Sequence, residues 1–197
     1  YGGYHFPGDY FSQSNFAASN ERDMVYMNEL YPIDSNQGFN ETLTQEVQHA
    51  INFNLDGADP TDTPENWLDE AVANYAEFEV YGATKSGVVS DYESNPATTE
   101  LAIWRQTTED YGASFLYAMY LSEQYGDLTG NSGFMADLMR QSSSGTTAVD
   151  DTLDDHGYDD RFEDTFRNWT VANHVDDTSV ADEYGYTNLN VAVDTTT

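Results

Sequence analysis

The segment Thr42-Leu43-Thr44-Gln45-Glu46-Val47-Gln48-His49-Ala50-Ile51-Asn52-Phe53 decides the fold that the sequence predicts. Its polar and apolar residues recur with the period of an α-helix. The polar residues Gln45, Glu46 and His49 share one face of that helix, and the opposite face is formed by the apolar residues Leu43, Val47, Ala50 and Ile51. The segment therefore predicts an amphipathic helix that ends near Asn54.

The polar face has the spacing of a catalytic helix with one residue changed. In zinc peptidases, two His residues four positions apart bind the metal, and the Glu after the first His is the general base. Here Gln45 takes the first of these positions, followed by Glu46 and then by His49. The motif alone leaves two other interpretations open: a solvated helix face, and a capping box in which Thr42 and Gln45 begin the helix.

A second helix is predicted from Asn66 to Gly82. It is apolar almost all round, apart from one stripe at helical spacing that consists of Glu70, Asn74, Glu77 and Tyr81. Acidic side chains on one line of an otherwise buried helix need a partner, and a metal ion or a polar cleft is the natural one. Since Glu70 follows His49 by 21 residues, a helix-loop-helix can return its carboxylate to the first helix as a third metal ligand.

Five segments carry a resemblance to a known family: residues 19–27, the helix around Glu46 and His49, and residues 67–82, 111–126 and 162–173. In their order and spacing, which cover most of residues 10–175, the chain resembles the hyicolysin-type metallopeptidases of the gluzincin group. The resemblance implies zinc-dependent peptide hydrolysis, with Glu46 as general base on the metal-bound water and with His49 and Glu70 as metal ligands. The chain departs from the family at Gln45, where the family has His.

Three further site assignments follow from residue chemistry. The side-chain oxygen of Gln45 can ligate a cation, although it is a neutral and harder donor than imidazole and suits Zn²⁺ less well. Tyr111 is a candidate donor to an oxyanion near the metal, with an ordinary packed tyrosine as the alternative. An acidic loop, residues 56–63, could bind Ca²⁺ or could be a solvated loop.

The fold class expected is α+β and predominantly helical, a gluzincin-like zincin fold with a small N-terminal β region. Residues 24–30, which are most β-prone at residues 25–27, are predicted to form an edge strand, which either aligns extended substrate by β-addition or is a plain core strand. Residues 83–109 are predicted to be a long polar connection, and a strongly apolar helix is predicted from Tyr111 to Tyr125, capped by Asp110. The expected organisation is a metallopeptidase domain over residues 1–175, followed by an acidic strand or tail over residues 176–197.

The charge of the chain is its strongest compositional signal. With 36 acidic and 6 basic residues among 197, the net charge is -30. Repulsion at this density opposes compaction, and molar salt removes most of it because the Debye length falls to about 3 Å at 1 M. The acids are spread along the chain, which favours an origin in a halophilic organism over an acidic interaction tail. Nucleic acid is a poor partner for such a field, whereas cations are good partners.

Other features bear on location. Cysteine is absent, no apolar run approaches the length of a membrane span, and residues 40–42 and 168–170 fit the N-glycosylation sequon. The chain begins at Tyr1 without a signal peptide, so we expect a processed product or an excised domain. The sequence thus predicts a secreted or cell-surface zinc endopeptidase domain that acts on proteins or peptides and does not insert into membranes. The alternative is a pseudopeptidase that serves as a binding or structural module.

Overall fold

The structure is a computed structural model, and it describes residues 2–29, 36–55, 66–126 and 133–193. Within these ranges it is mostly helical, with seven α-helices and one two-stranded antiparallel sheet, which confirms the α+β class. The chain divides into two compact units, residues 1–63 with 73–83 and residues 64–72 with 84–197. The predicted boundary at residue 175 stays a prediction.

The first unit is built on one long helix. Strand β1 (Gly3–His5) pairs with strand β2 (Val25–Met27), and both pack on helix α1 (Asn36–Leu55). The strand predicted within residues 24–30 is confirmed over residues 25–27. The helix predicted around Glu46 is also confirmed, but it begins at Asn36, so Thr42 lies inside the helix and does not cap it. Helix α2 (Asn66–Tyr81) is also confirmed. Its residues 73–81 belong to this unit, and its residues 66–72 belong to the second unit.

The second unit surrounds a central helix. Its helices are α3 (Ser86–Ser94), α4 (Thr108–Tyr125), α5 (Phe134–Leu138), α6 (Gly145–Asp155) and α7 (Phe162–Val175). Helix α4 packs against α3, α5 and α7. It is buried on nearly every side because its sequence is largely apolar, and its fully buried residues include Phe115, Leu116, Met119 and Tyr120.

Two details of this unit differ from the prediction. The segment 83–109 is not a plain connection, since it contains α3. Its Ser- and Gly-rich sequence has low helix propensity, but burial of Val89 and Tyr92 stabilises the helix through tertiary packing. The N-cap of α4 is Thr107 and not Asp110: the Asp110 amide donates to Thr107 Oγ1 (3.4 Å), and Asp110 Oδ2 accepts from the Thr107 amide (3.1 Å).

The segment after α7 has no strand within residues 176–193 and is held by carboxylates. Glu123 at the end of α4 accepts hydrogen bonds from the backbone amides of Thr187 (2.7 Å) and Asn188 (3.1 Å). Asp176 accepts from the amides of Tyr186 (3.0 Å) and Val191 (2.8 Å). In a β-strand, these backbone amides would donate to a neighbouring strand. Here the carboxylates accept from them, so the segment is ordered without forming a sheet.

Candidate functional site

Helix α1 turns its polar face inward. Glu46 is buried, with only 7% of its surface exposed, and Ala50, Asn52 and Phe53 are buried with it. By contrast, Val47 and Ile51 are 41% and 43% exposed. An amphipathic helix normally packs its apolar face on the core. On α1 the arrangement is only partly reversed, since Ala50 of the apolar face is also buried, but the burial of Glu46 removes the predicted general base from bulk water, which a solvated helix face would not do.

Strand β1 covers Glu46. A Cβ atom added to Gly3 would lie 3.0 Å from Glu46 Cγ and 2.8 Å from the carbonyl oxygen of Tyr26. Only a glycine lets the strand approach the helix and its partner strand this closely. The same strand contacts α1 further along, where the ring centroid of His5 lies 5.8 Å from that of Phe53. Strand β1 thus covers α1 at Glu46 and, further along, at Phe53.

The polar stripe of α2 is largely buried. Asn74 and Glu77 are each 2% exposed, and Glu70 is half-buried. Tyr81 differs, because it lies at the exposed end of the helix. A buried carboxylate at Glu77 is costly unless it interacts with another polar group, so the stripe has a structural or functional purpose beyond solvation.

Tyr111 lies next to Glu70. Its hydroxyl donates a hydrogen bond of 3.5 Å to Glu70 Oε1, and its ring makes an edge contact with Trp104 at 4.8 Å between centroids. Tyr111 therefore contacts the predicted ligand Glu70, and its role as a donor to an oxyanion stays a prediction. Both residues belong to the second unit.

The predicted site residues fall into two groups. Gln45, Glu46 and His49 lie on α1 in the first unit, and Glu70 and Tyr111 lie in the second. Helix geometry puts the side chains of Gln45 and His49, four residues apart, on one face. Within the described residues, no group of three or more His, Asp or Glu side chains is arranged to hold a metal ion. The proposed donors differ from such a group, since they comprise one imidazole, one carboxylate and one amide.

No family model matches the chain. No curated protein matches it at a significant level either. The gluzincin resemblance therefore rests on the motif segments themselves. The predicted Ca²⁺ loop, residues 56–63, lies outside the described residues. None of the described helices is both long and apolar enough to span a membrane.

A second polar cluster escaped the sequence analysis. The carboxylate of Asp9 accepts hydrogen bonds from the Tyr26 hydroxyl and from the Asn20 amide (2.6 Å). The Tyr26 hydroxyl, followed by the Asn20 amide, holds the pKa of Asp9 below its ordinary value of 3.8, and the same bond raises the pKa of Tyr26. No spacing rule connects Asp9 with Tyr26 across 17 residues, so no sequence signal could have identified the cluster.

Proposed function

We propose that the protein is a zinc-dependent endopeptidase domain of the gluzincin type, with Glu46 as general base. The supporting observation is the burial of Glu46 on the inward, polar face of α1. A carboxylate removed from water and placed one residue after a ligand position is suited to take a proton during catalysis. The zincin fold is part of the same proposal.

The ligands proposed for Zn²⁺ are His49 and Glu70, with Gln45 in the position of a third donor. Imidazole and carboxylate are both common zinc ligands, whereas an amide oxygen is a weaker one. The donor set therefore fits Zn²⁺ through His49 and Glu70, and fits it less well through Gln45. When bound, Zn²⁺ supplies a Lewis acid.

The residues of the chain would then carry out proton transfer, oxyanion stabilisation and peptide binding. Glu46 accepts the proton of the attacking water and later delivers it to the leaving amine. The hydroxyl of Tyr111, held beside Glu70, is the proposed donor to the developing oxyanion. An extended peptide would bind along β2. The Asn28 amide donates to the Gly2 carbonyl oxygen, and hydrogen-bonded pairs alternate along an antiparallel ladder, so Tyr4 and Tyr26 are the next hydrogen-bonded pair. The backbone groups of Val25 and Met27 therefore point away from β1, toward the side on which a peptide strand would add.

Metal content tests the proposal. In molar salt, the parent protein should bind Zn²⁺, and His49→Ala and Glu70→Ala should each lower the bound metal measured by elemental analysis. His174→Ala is the matched control, since His174 is an exposed residue on α7. Equal metal content in the parent and all three variants would place the metal elsewhere and contradict the proposal.

The alternative function is a pseudopeptidase that binds proteins without cleaving them. The neutral amide at Gln45 favours this alternative, because it weakens the metal site while leaving the scaffold intact. A parent protein without zinc and without hydrolysis of casein, but with a stable fold, would support it.

We further propose that the protein is secreted or located at the cell surface in a halophilic organism. Its six basic residues can neutralise only a small part of its 36 acids, so folding depends on screening by salt.

A further inference from the structure

The β-hairpin of the first unit carries a pair of stacked tyrosines on its outer face. Tyr4 on β1 lies directly opposite Tyr26 on β2, and the two ring centroids are 4.5 Å apart with their planes 7° from parallel. The next residue, Gly3, faces α1, because a Cβ atom there would lie 3.0 Å from Glu46 Cγ. Since side chains alternate along a strand, Tyr4 and Tyr26 point away from the helix. Tyr4 is 53% exposed, and Tyr26 is half-buried.

The ring of Tyr26 is held in place at its hydroxyl end. The hydroxyl donates to the carboxylate of Asp9, which is buried, and accepts a hydrogen bond of 2.6 Å from the side-chain nitrogen of Asn20. The backbone amide of Asn20 donates to the other carboxylate oxygen of Asp9, also at 2.6 Å. The proposed zinc chemistry does not use this cluster. A ring that is fixed before a ligand arrives loses little conformational entropy when the ligand binds.

The two faces of the Tyr26 ring have different surroundings. One face stacks on Tyr4, and the other lies toward the outer edge of β2. At the same edge, the backbone groups of Val25 and Met27 point away from β1. A peptide that adds there as a third strand would lie about 4.8 Å from β2, close to the 4.5 Å that separates the two rings. The peptide residue opposite Tyr26 would therefore place its side chain against the second ring face.

We propose that Tyr26 is a specificity-determining residue, which selects an aromatic side chain on an extended peptide bound along β2. Aromatic pairs on neighbouring strands stabilise a sheet by more than the area that they bury. The peptide side chains opposite Val25 and Met27 would point to the α1 side of the sheet, so Tyr26 selects at one position of the peptide and not at the two adjacent positions. This selectivity rests on the proposed binding of a peptide at β2, and it adds the class of side chain that the peptide carries.

A peptide titration followed by NMR tests the proposal. Three acetylated and amidated pentapeptides, Thr-Val-Xaa-Val-Thr with Tyr, Leu or Ala at Xaa, are added to the isotopically labelled protein in molar salt. The amide signals of Val25 and Met27 should shift, because these amides donate to the added strand. The Tyr peptide should bind at least about threefold more tightly than the Leu and Ala peptides, since only its side chain can stack on the ring. The Leu peptide controls for apolar area without a ring.

Variants assign the preference to the ring of Tyr26. Tyr26→Thr removes the ring but keeps a β-branched side chain suited to a strand, and the three peptides should then bind equally. Tyr26→Phe keeps the ring and loses the hydroxyl that contacts Asp9 and Asn20, so the preference should persist with weaker binding. Tyr4→Thr is the matched control. Because the Tyr4 ring lies on the other side of Tyr26 from the peptide, the preference should persist in this variant too.

Three results would overturn the proposal: equal affinity of the parent for the three peptides, a preference that survives Tyr26→Thr, or a titration in which the Val25 and Met27 amide signals do not shift. If Tyr26→Thr does not fold, the comparison of the peptides on the parent and on Tyr26→Phe still decides. Zinc content and casein hydrolysis are measured on the same parent. Zinc binding and hydrolysis without the preference would overturn the selectivity alone. The preference without zinc or hydrolysis would support the selectivity and contradict the endopeptidase proposal.

Discussion

Glu123→Gln should destabilise the protein through the C-terminal segment. In the native state, Glu123 Oε2 accepts from the amide and the hydroxyl of Thr187 (2.7 and 3.0 Å), and Oε1 accepts from the amide and the side-chain nitrogen of Asn188 (3.1 and 3.2 Å). Glutamine keeps one carbonyl oxygen and replaces the other by a donor. Two of the four donors then lose their acceptor, and the negative charge that strengthened all four bonds is removed.

The magnitude follows from these losses. A donor left without its acceptor in a part-buried site costs about 1–3 kcal/mol, so the loss of two should lower the free energy of unfolding by about 3 kcal/mol. For a chain of this size, 1 kcal/mol corresponds to about 2–4 °C in Tm. Thermal unfolding in molar salt, followed by circular dichroism, should therefore show a decrease of about 6–12 °C.

Glu163→Gln provides the control. Glu163 is exposed in the first turn of α7, where salt screens its favourable effect on the helix, so its replacement should change Tm by about 2 °C or less. If Glu123→Gln unfolds at the same temperature as this control, the carboxylate does not stabilise the segment, and the argument fails.

Three other expectations can be checked on the same protein. Gly112→Ala should destabilise the packing of α4 on α3 by about 1–3 kcal/mol or more, because its Cβ would lie 2.1 Å from the carbonyl oxygen of Val88. In the control Gly87→Ala, the new Cβ meets nothing within 4 Å, so this change should be neutral or slightly stabilising. Equal denaturation midpoints for the two variants would contradict this. Tyr26→Phe should raise the pKa of Asp9 toward 3.8 in an NMR titration. Because the pKa of Asp9 is lower in the folded state, its carboxylate stabilises the fold above pH 3.8, and this stabilisation is lost as the pH falls through the folded pKa. The variant should therefore lose less stability over this pH range. An unchanged pKa of Asp9 would refute the role of the hydrogen bond. Dilution from molar salt to about 0.05 M should unfold the protein, and a circular dichroism spectrum that stays the same would contradict the halophilic origin.

Helical periodicity was the most reliable sequence signal. It predicted α2 closely and the C-terminal end of α1, because long segments with a continuous pattern fix the element type, but α1 begins at Asn36, before the segment that predicted it. It missed α3, whose nine residues are too short a segment to fix the element type and which depends on tertiary contacts such as the close approach of Gly112 to Val88. Local pattern alone cannot reveal a helix whose stability comes from its neighbours.

In the candidate site, too, local pattern predicted some features, and tertiary contacts determined the others. Spacing put Gln45, Glu46 and His49 on one face of a helix, which the structure confirms, but spacing could not tell which face points inward. That direction depends on where β1 packs, through Gly3, and such a contact joins residues more than 40 positions apart. The hydrogen bond from Tyr111 to Glu70, across 41 positions, was beyond the sequence for the same reason.

We propose that Glu46 is the base of a zinc site in which Gln45 is the weak ligand. The most direct test measures zinc affinity and casein hydrolysis in molar salt for the parent, for Gln45→His, and for Gln45→His combined with Glu46→Gln. We expect Gln45→His to tighten zinc binding at least tenfold, or about 1.4 kcal/mol, and to raise hydrolysis, and we expect the second change to abolish hydrolysis while zinc stays bound. A Gln45→His variant that binds no zinc and cleaves nothing, or hydrolysis that survives Glu46→Gln, would contradict the claim.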